Sequence, residues 1–216
     1  MSNVTYDYME KYIRELIPAH EGILTELESY AENNKVPIIH KEVANFLELM
    51  ISITKPRAIL ELGTAIGYSS VLMAKCSDDI EKIDTIERDE KMILLAEENI
   101  NKAGLQDKIK VLKGDCLEVL EGLEGKYDLV FIDAGKGHYN VFHPHCLRLL
   151  SKGGIIIADN VLYKGMVASR ELVIRRKITI VKRMKKYIDM ITKDENLITS
   201  IIPMGDGIAM MKRRDD

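Results

Sequence analysis

Apolar positions in the first 54 residues recur at the three-to-four-residue spacing of helices. They fall in YDYMEKYIRELI (6–17), EGILTELESYAENN (21–34) and IHKEVANFLELMISI (39–53), with Pro18 and Pro37 as breaks. After Lys55 and Pro56 the period changes. Short β-rich runs then alternate with helical stretches: RAILELG (57–63), KIDTIER (82–88), KIKVLKG (108–114), YDLVFIDA (127–134) and GGIIIADNV (153–161). Runs apolar on both sides of the pleat, joined through helices, predict a parallel sheet covered on both faces. The last two runs, LITSIIPM and GIAMMKR, meet around Gly205-Asp206-Gly207, a spacing that predicts a hairpin and an antiparallel edge. No internal repeat or low-complexity linker interrupts the chain. The pattern describes one α/β domain: a helical cap over 1–54 and a doubly wound, mostly parallel seven-stranded core over 55–216.

Composition narrows the class only slightly. Hydrophobic residues make up 46% of 216, enough for a sizeable core, and 30% charged residues with net charge −3 describe an ordinary soluble protein. Three widely spaced cysteines (Cys76, Cys116, Cys146) without a C-x-x-C pair argue against a disulfide framework or a zinc site. No run approaches 18 uninterrupted apolar residues, and the N-terminus lacks a basic-then-apolar signal pattern. The expectation is a cytoplasmic protein with no membrane partner.

Chemistry concentrates where the apolar runs end. Asp133 and Lys136 follow the fourth run in FIDAGK, and Asp159 and Asn160 follow the fifth in IIIADNV. Strand ends of an open α/β sheet form the edge at which such folds bind ligands. Two carboxylates and an amide oxygen are hard donors suited to Mg²⁺, Ca²⁺ or Mn²⁺ rather than zinc. With a lysine three residues after the first carboxylate, the set implies metal-assisted deprotonation of a hydroxyl. For Lys136 alone, a surface salt bridge is the plain alternative.

A nucleoside cofactor is implied by ILELGTAIGYSS. Gly63 and Gly67 allow a tight turn and close backbone approach, and Glu87, 20 residues after Gly67, is placed to accept from both hydroxyls of a ribose. The loop lacks both G-x-G-x-x-G and G-K-[ST], so it favours S-adenosylmethionine over NAD or ATP; an ordinary strand-to-helix turn would also use such glycines. Asp115 and Cys116 end the third run, near where adenine would lie. Asp115 serves equally as an N-cap for the helix beginning at Leu117.

Taken together, ELGTAIGYSS, TIER, KGD, FIDAGKGHY and ADNVLYKG resemble the cation-dependent O-methyltransferases of the catechol and caffeoyl-CoA type, over most of residues 37–211. The resemblance implies a Rossmann-like methyltransferase fold with seven strands and a homodimer. It puts metal ligands on Asp133, Asp159 and Asn160, a catalytic lysine on Lys136, and cofactor contacts on Gly63, Ser69, Glu87 and Asp115. Asp133 stands beside both the metal and the cofactor.

One stretch departs from the small-phenol branch, which commonly has a tryptophan after DNVL. This chain has Tyr163-Lys164-Gly165 and no tryptophan. Residues 170–186 then hold eight basic side chains against the single acid Glu171. On a helix, Ile174, Ile178, Val181, Met184 and Ile188 would share one face, with Arg175, Arg176, Lys182, Arg183 and Lys186 opposite. A solvated surface helix is the plain reading of a charge run; a cationic face beside an active site also fits a phosphate backbone, with Lys164 and Arg170 as further contacts. This tail looks like that of the bacterial tRNA 5-hydroxyuridine methyltransferases, which implies a tRNA partner and methylation of the wobble base to 5-methoxyuridine. The rival expectations are a small catechol or phenol acceptor, a non-catalytic RNA-binding protein on the same fold, and an NAD-dependent oxidoreductase. His143 and His145, two apart, do not share a helical face and make a second metal site improbable.

Overall fold

The computed structural model describes residues 3–215. Three helices, α1 (Asp7–Leu16), α2 (Ile23–Asn34) and α3 (Lys41–Thr54), form the cap. The core follows as β1 (Ala58–Leu62), α4 (Tyr68–Cys76), β2 (Lys82–Glu87), α5 (Glu90–Lys102), β3 (Ile109–Lys113), α6 (Cys116–Gly122), β4 (Tyr127–Ile132), α7 (Tyr139–Leu149) and β5 (Leu150–Ala158). A 3₁₀ turn (Arg175–Lys177), α8 (Ile178–Lys193), β6 (Leu197–Ile202) and β7 (Ile208–Arg213) complete it. Among the described residues no helix is long and apolar enough to cross a membrane.

The seven strands run in the order β3-β2-β1-β4-β5-β7-β6. The first five are parallel; β7 is antiparallel to both β5 and β6. The terminal hairpin is therefore entered by its second strand, and β6 takes the edge. Alternate residues feed two cores. Ile59, Leu129, Phe131 and Ile157 face α2 to α5, while Leu60, Val130, Ile132 and Ile156 face α6 to α8. This two-sided burial is why the strands read as continuous apolar runs. Strand order reverses between β1 and β4, so the loops after these strands diverge and open a crevice at their carboxyl ends.

The basic segment is not the single helix expected over 170–186. Residues 161–174 form turns, and α8 begins only at Ile178. Asn160, Tyr163, Lys164 and Gly165 all have positive φ (63°, 46°, 56° and 73°), and this left-handed run folds the chain back at the sheet end. Arg175, Arg176 and Lys177 then crowd the amino end of α8, where the helix dipole disfavours cations and no side chain caps the first turn. Val181, Met184, Tyr187 and Ile191 are the buried stripe of α8, whereas Ile174 and Ile178, expected on that face, are 52% and 39% exposed.

His143 on α7 sits in the second core, edge-on to the Tyr187 ring at 5.6 Å, with neither ring nitrogen hydrogen-bonded. Burial lowers its pKa to about 4, with Asp194 opposing weakly. Below an unfolded value of about 6.5 the unfolded chain takes up the proton first. Stability supplied by the neutral ring is complete above that pH and is lost as pH falls towards 4, by about 3 kcal/mol. Melting of the wild type between pH 7.5 and 5 should therefore fall more steeply than melting of His143→Phe; parallel slopes would contradict this.

Candidate active site

The acidic groups stand where the ladders end. Asp133 N–H donates to Leu62 O (2.9 Å) and Asp159 N–H to Ile132 O (2.9 Å), so each residue extends its strand by one bond along a common edge. Asn160 follows in the left-handed region, which asparagine tolerates better than most residues. Its Nδ2 donates to Asp133 Oδ1 (2.7 Å), and Lys136 Nζ donates to its Oδ1 (2.7 Å). The Asn160 N–H donates to Asp159 Oδ1 at 2.5 Å. Beneath them the buried Tyr139 hydroxyl donates to Asp159 O (3.0 Å), bracing the turn. The structure thus brings Asp133, Lys136, Asp159 and Asn160 into one hydrogen-bonded cluster.

Its electrostatics suit either a bound proton or a cation. Burial raises the Asp133 pKa to about 6, against the lowering effects of Lys136 and Asn160. Asp159 is pushed well above the carboxylate range by burial and by Asp133. Two carboxylates face one ammonium, so a negative charge remains in a poorly solvated place unless a cation or proton offsets it. Among the described residues no three His, Cys, Asp or Glu side chains converge as a metal site. The third oxygen donor of this set is the Asn160 amide, and an all-oxygen set fits a hard divalent ion.

A cavity of about 660 Å³ opens beside the cluster and meets it at Lys136, while Asp133, Asp159 and Asn160 stand behind its lining. Of the sequence candidates, Gly63, Glu87, Asp115, Cys116, Lys136 and Arg183 line it. Gly63 has φ +103°, and a Cβ there would stand 2.9 Å from Ala134 Cβ, so only glycine fits between the first and fourth strand ends. Glu87 accepts from the N–H groups of Ala65 (3.0 Å), Arg88 (2.9 Å) and Asp89 (3.0 Å), fixing the glycine loop to the end of β2. Asp115 is the N-cap of α6, with Oδ1 accepting from Leu117 N–H (3.0 Å), and its Oδ2 accepts from Arg88 at the cavity (3.3 Å). Burial, then Asp115 and Glu87, push the Cys116 thiol up to about 12, so it is a neutral wall and not a nucleophile.

Other candidates stand behind or outside the cavity. Gly67, with φ +84°, precedes α4 and packs on Ala96. The Ser69 hydroxyl donates to the buried Glu61, which also takes Ser70 and Thr85 (2.6 Å). Burial raises Glu61 to about 7 against these three donors. Ser69 thus ties β1 to α4 behind the glycine loop. Lys164, Arg170, Arg175, Arg176, Lys182 and Lys186 are exposed and off the cavity lining, but Arg183 lines it. Arg183 Nη1 reaches His138 Nε2 (3.2 Å) and Gly137 O (3.5 Å), spanning from α8 to the loop of Lys136.

Sequence reasoning left the cavity residues Arg88, Tyr163, Lys177 and Ile180 without a placed role. Lys177 Nζ lies 5.9 Å from the Tyr163 ring centre. Only Arg88, beside Glu87, carried a local signal. The others reach the cavity through the fold of 161–177, which period alone does not reveal.

The family model described as O-methyltransferase matches residues 16–214. A catechol O-methyltransferase of Niastella koreensis is 32% identical over 173 residues, covering 77% of this chain and 78% of its own. Among solved structures, a Staphylococcus aureus protein provisionally described as a caffeoyl-CoA O-methyltransferase superposes with TM-score 0.89 at 33% identity, over 96% of this chain and all of its own. The S-adenosylhomocysteine-bound methyltransferase PaMTH1 of Podospora anserina gives 0.88 at 25% identity, over 97% and 95%.

Proposed function

Since the chain belongs to the S-adenosylmethionine-dependent O-methyltransferase family of the catechol and caffeoyl-CoA type, we propose that it methylates the 5-hydroxyl of 5-hydroxyuridine at the wobble position of tRNA, giving 5-methoxyuridine. That acceptor presents its hydroxyl beside the O4 carbonyl, the vicinal-oxygen pattern of a catechol, on a polymer of phosphates.

The observation that carries this acceptor is the unpaired cationic surface beside the cavity. Arg175, Arg176, Lys177, Lys182, Arg183, Lys185 and Lys186 form no ion pair among the described residues. Three of them oppose the dipole of α8 at its amino end, an arrangement that an anion there would relieve. Lys177 and Arg183 continue this surface into the cavity itself.

S-Adenosylmethionine supplies an electrophilic methyl group. Glu87 takes the ribose hydroxyls and Asp115 the adenine amino group, while Gly63 leaves room for close backbone approach. Asp133, Asp159 and Asn160 are the residues that would hold a hard divalent cation such as magnesium; such an ion would supply Lewis-acid polarisation of an acceptor oxygen. Lys136 holds Asn160 in place and offers its Nζ to the acceptor hydroxyl, to stabilise the oxyanion or take the proton. His138 and Arg183 close the far side of the acceptor position.

A second reading is a small catechol or phenol acceptor, and the names of the relatives favour it. The two readings separate on one variant. Arg175→Glu/Arg176→Glu, off the cavity lining, should raise KM for 5-hydroxyuridine-containing tRNA by about tenfold or more and flatten its salt dependence. Rates on dihydroxyphenols should stay unchanged. Turnover of dihydroxyphenols alone, with no methylation of that tRNA, would overturn the tRNA acceptor and leave the small-phenol reading.

A further inference from the structure

The Gly205-Asp206-Gly207 turn does more than join β6 to β7. It takes three amides of the segment that follows β5. Val161 N–H donates to Gly207 O (2.9 Å), Leu162 N–H to Asp206 O (2.9 Å) and Lys164 N–H to Asp206 Oδ1 (2.9 Å). The approach is close: a Cβ on Gly207, at φ +93°, would run into the Leu162 side chain and stand 2.8 Å from its nitrogen. On its other side the turn is pinned against α3, where a Cβ on Gly205 would meet Val43 Cγ2 at 3.0 Å. Asp206 is itself only 5% exposed. A carboxylate so deeply placed needs a hydrogen-bond donor, and the Lys164 amide supplies one.

The segment held in this way is strained. Tyr163 and Lys164 are consecutive non-glycine residues in the left-handed region, with φ 46° and 56°, where a bulky aromatic residue is an outlier. Such a conformation persists only where its surroundings fix it. Within the turn, Tyr163 N–H donates to Asn160 O (3.2 Å) and Met166 N–H to Tyr163 O (3.1 Å). The Asp206 carboxylate ties the strained centre of that turn to the sheet. What the conformation delivers is the Tyr163 ring. Buried with Met166 and Val181, it lines the cavity, and Lys177 Nζ stands 5.9 Å from its centre.

We propose that Asp206 is a positioning residue for the acceptor: by fixing the left-handed Tyr163-Lys164 pair it sets the Tyr163 wall of the cavity and the place of Lys177 beside it, without touching the reacting atoms. The oxygen cluster does not depend on this bond, because Asn160 keeps its own contacts to Asp133, Asp159 and Lys136. The Asp206 carboxylate also bears on Asp159 by charge and helps to raise it. The two influences separate at asparagine, whose Oδ1 still accepts from the Lys164 amide but carries no charge. The inference holds for a wobble base and for a small phenol alike.

Steady-state kinetics test it, run in parallel on 5-hydroxyuridine-containing tRNA and on a dihydroxyphenol and read on whichever is turned over, so that failure of the tRNA acceptor leaves the test intact. Asp206→Ala should raise the acceptor KM about tenfold, with kcat within about threefold and S-adenosylmethionine affinity by calorimetry unchanged. Asp206→Asn should keep the wild-type KM. In a Lys164→Gly background, where glycine carries no left-handed strain, adding Asp206→Ala should cost about threefold or less. Without any variant, the wild-type Lys164 amide should exchange with deuterium about 100-fold more slowly than an open loop amide. An unchanged KM in Asp206→Ala, equal losses in the alanine and asparagine variants, an equal cost of Asp206→Ala in both backgrounds, or an unprotected Lys164 amide would overturn the proposal.

Discussion

Lys136→Ala should lower single-turnover methyl transfer by about 10²–10⁴-fold, the usual contribution of a positioned acid–base group, while S-adenosylmethionine affinity stays within about twofold. Lys136 Nζ is bonded to Asn160 Oδ1 and faces the Asp133–Asp159 pair, so its loss removes the one ammonium that offsets two carboxylates there. The cofactor contacts assigned to Gly63, Glu87 and Asp115 lie on other strand ends and keep their own backbone bonds. Lys136→Arg is the informative comparison. A guanidinium restores charge but does not take up a proton, so rescue by arginine would mean that Lys136 acts by charge alone. Unchanged turnover in the alanine variant would remove Lys136 from the chemistry.

Removing the cation should have an effect of similar size. Activity in EDTA should fall by about 10³-fold, several kcal/mol of lost polarisation, and should return on adding Mg²⁺. Asp159→Ala should show the same loss without recovery at millimolar Mg²⁺. Asp159 is almost fully buried and braced by Tyr139, and its carboxyl lies beside Asp133 with Asn160 between them. Full activity in EDTA would make the cluster a structural network and leave the oxygen donors without a metal role.

Much of this site is legible in the sequence because it sits at strand ends. FIDAGK and IIIADNV each carry a buried apolar run directly into a polar residue, so the end of the run locates Asp133 and Asp159. Parallel strands align those ends along one edge, and Gly63 and Glu87 follow by the same argument. Residues that act through tertiary packing are less legible. The resemblance implies a cofactor contact for Ser69, yet the buried Glu61 takes its hydroxyl. Period gave the basic segment one long helix, but positive φ values from Asn160 to Gly165 and three cations at the start of α8 delay the helix to Ile178. That delay turns Lys177 and Arg183 into the cavity and leaves Ile174 outside. The period of residues 6–17 makes α1 legible as a helix, but the face it turns to the core depends on Arg14 meeting Glu42, 28 residues away.

The acceptor is the central claim, and nucleoside mass spectrometry of tRNA from a strain lacking this protein tests it most directly. The account predicts loss of 5-methoxyuridine with a matching gain of 5-hydroxyuridine, reversed by the wild-type protein and not by Lys136→Ala. An unchanged 5-methoxyuridine level would contradict it.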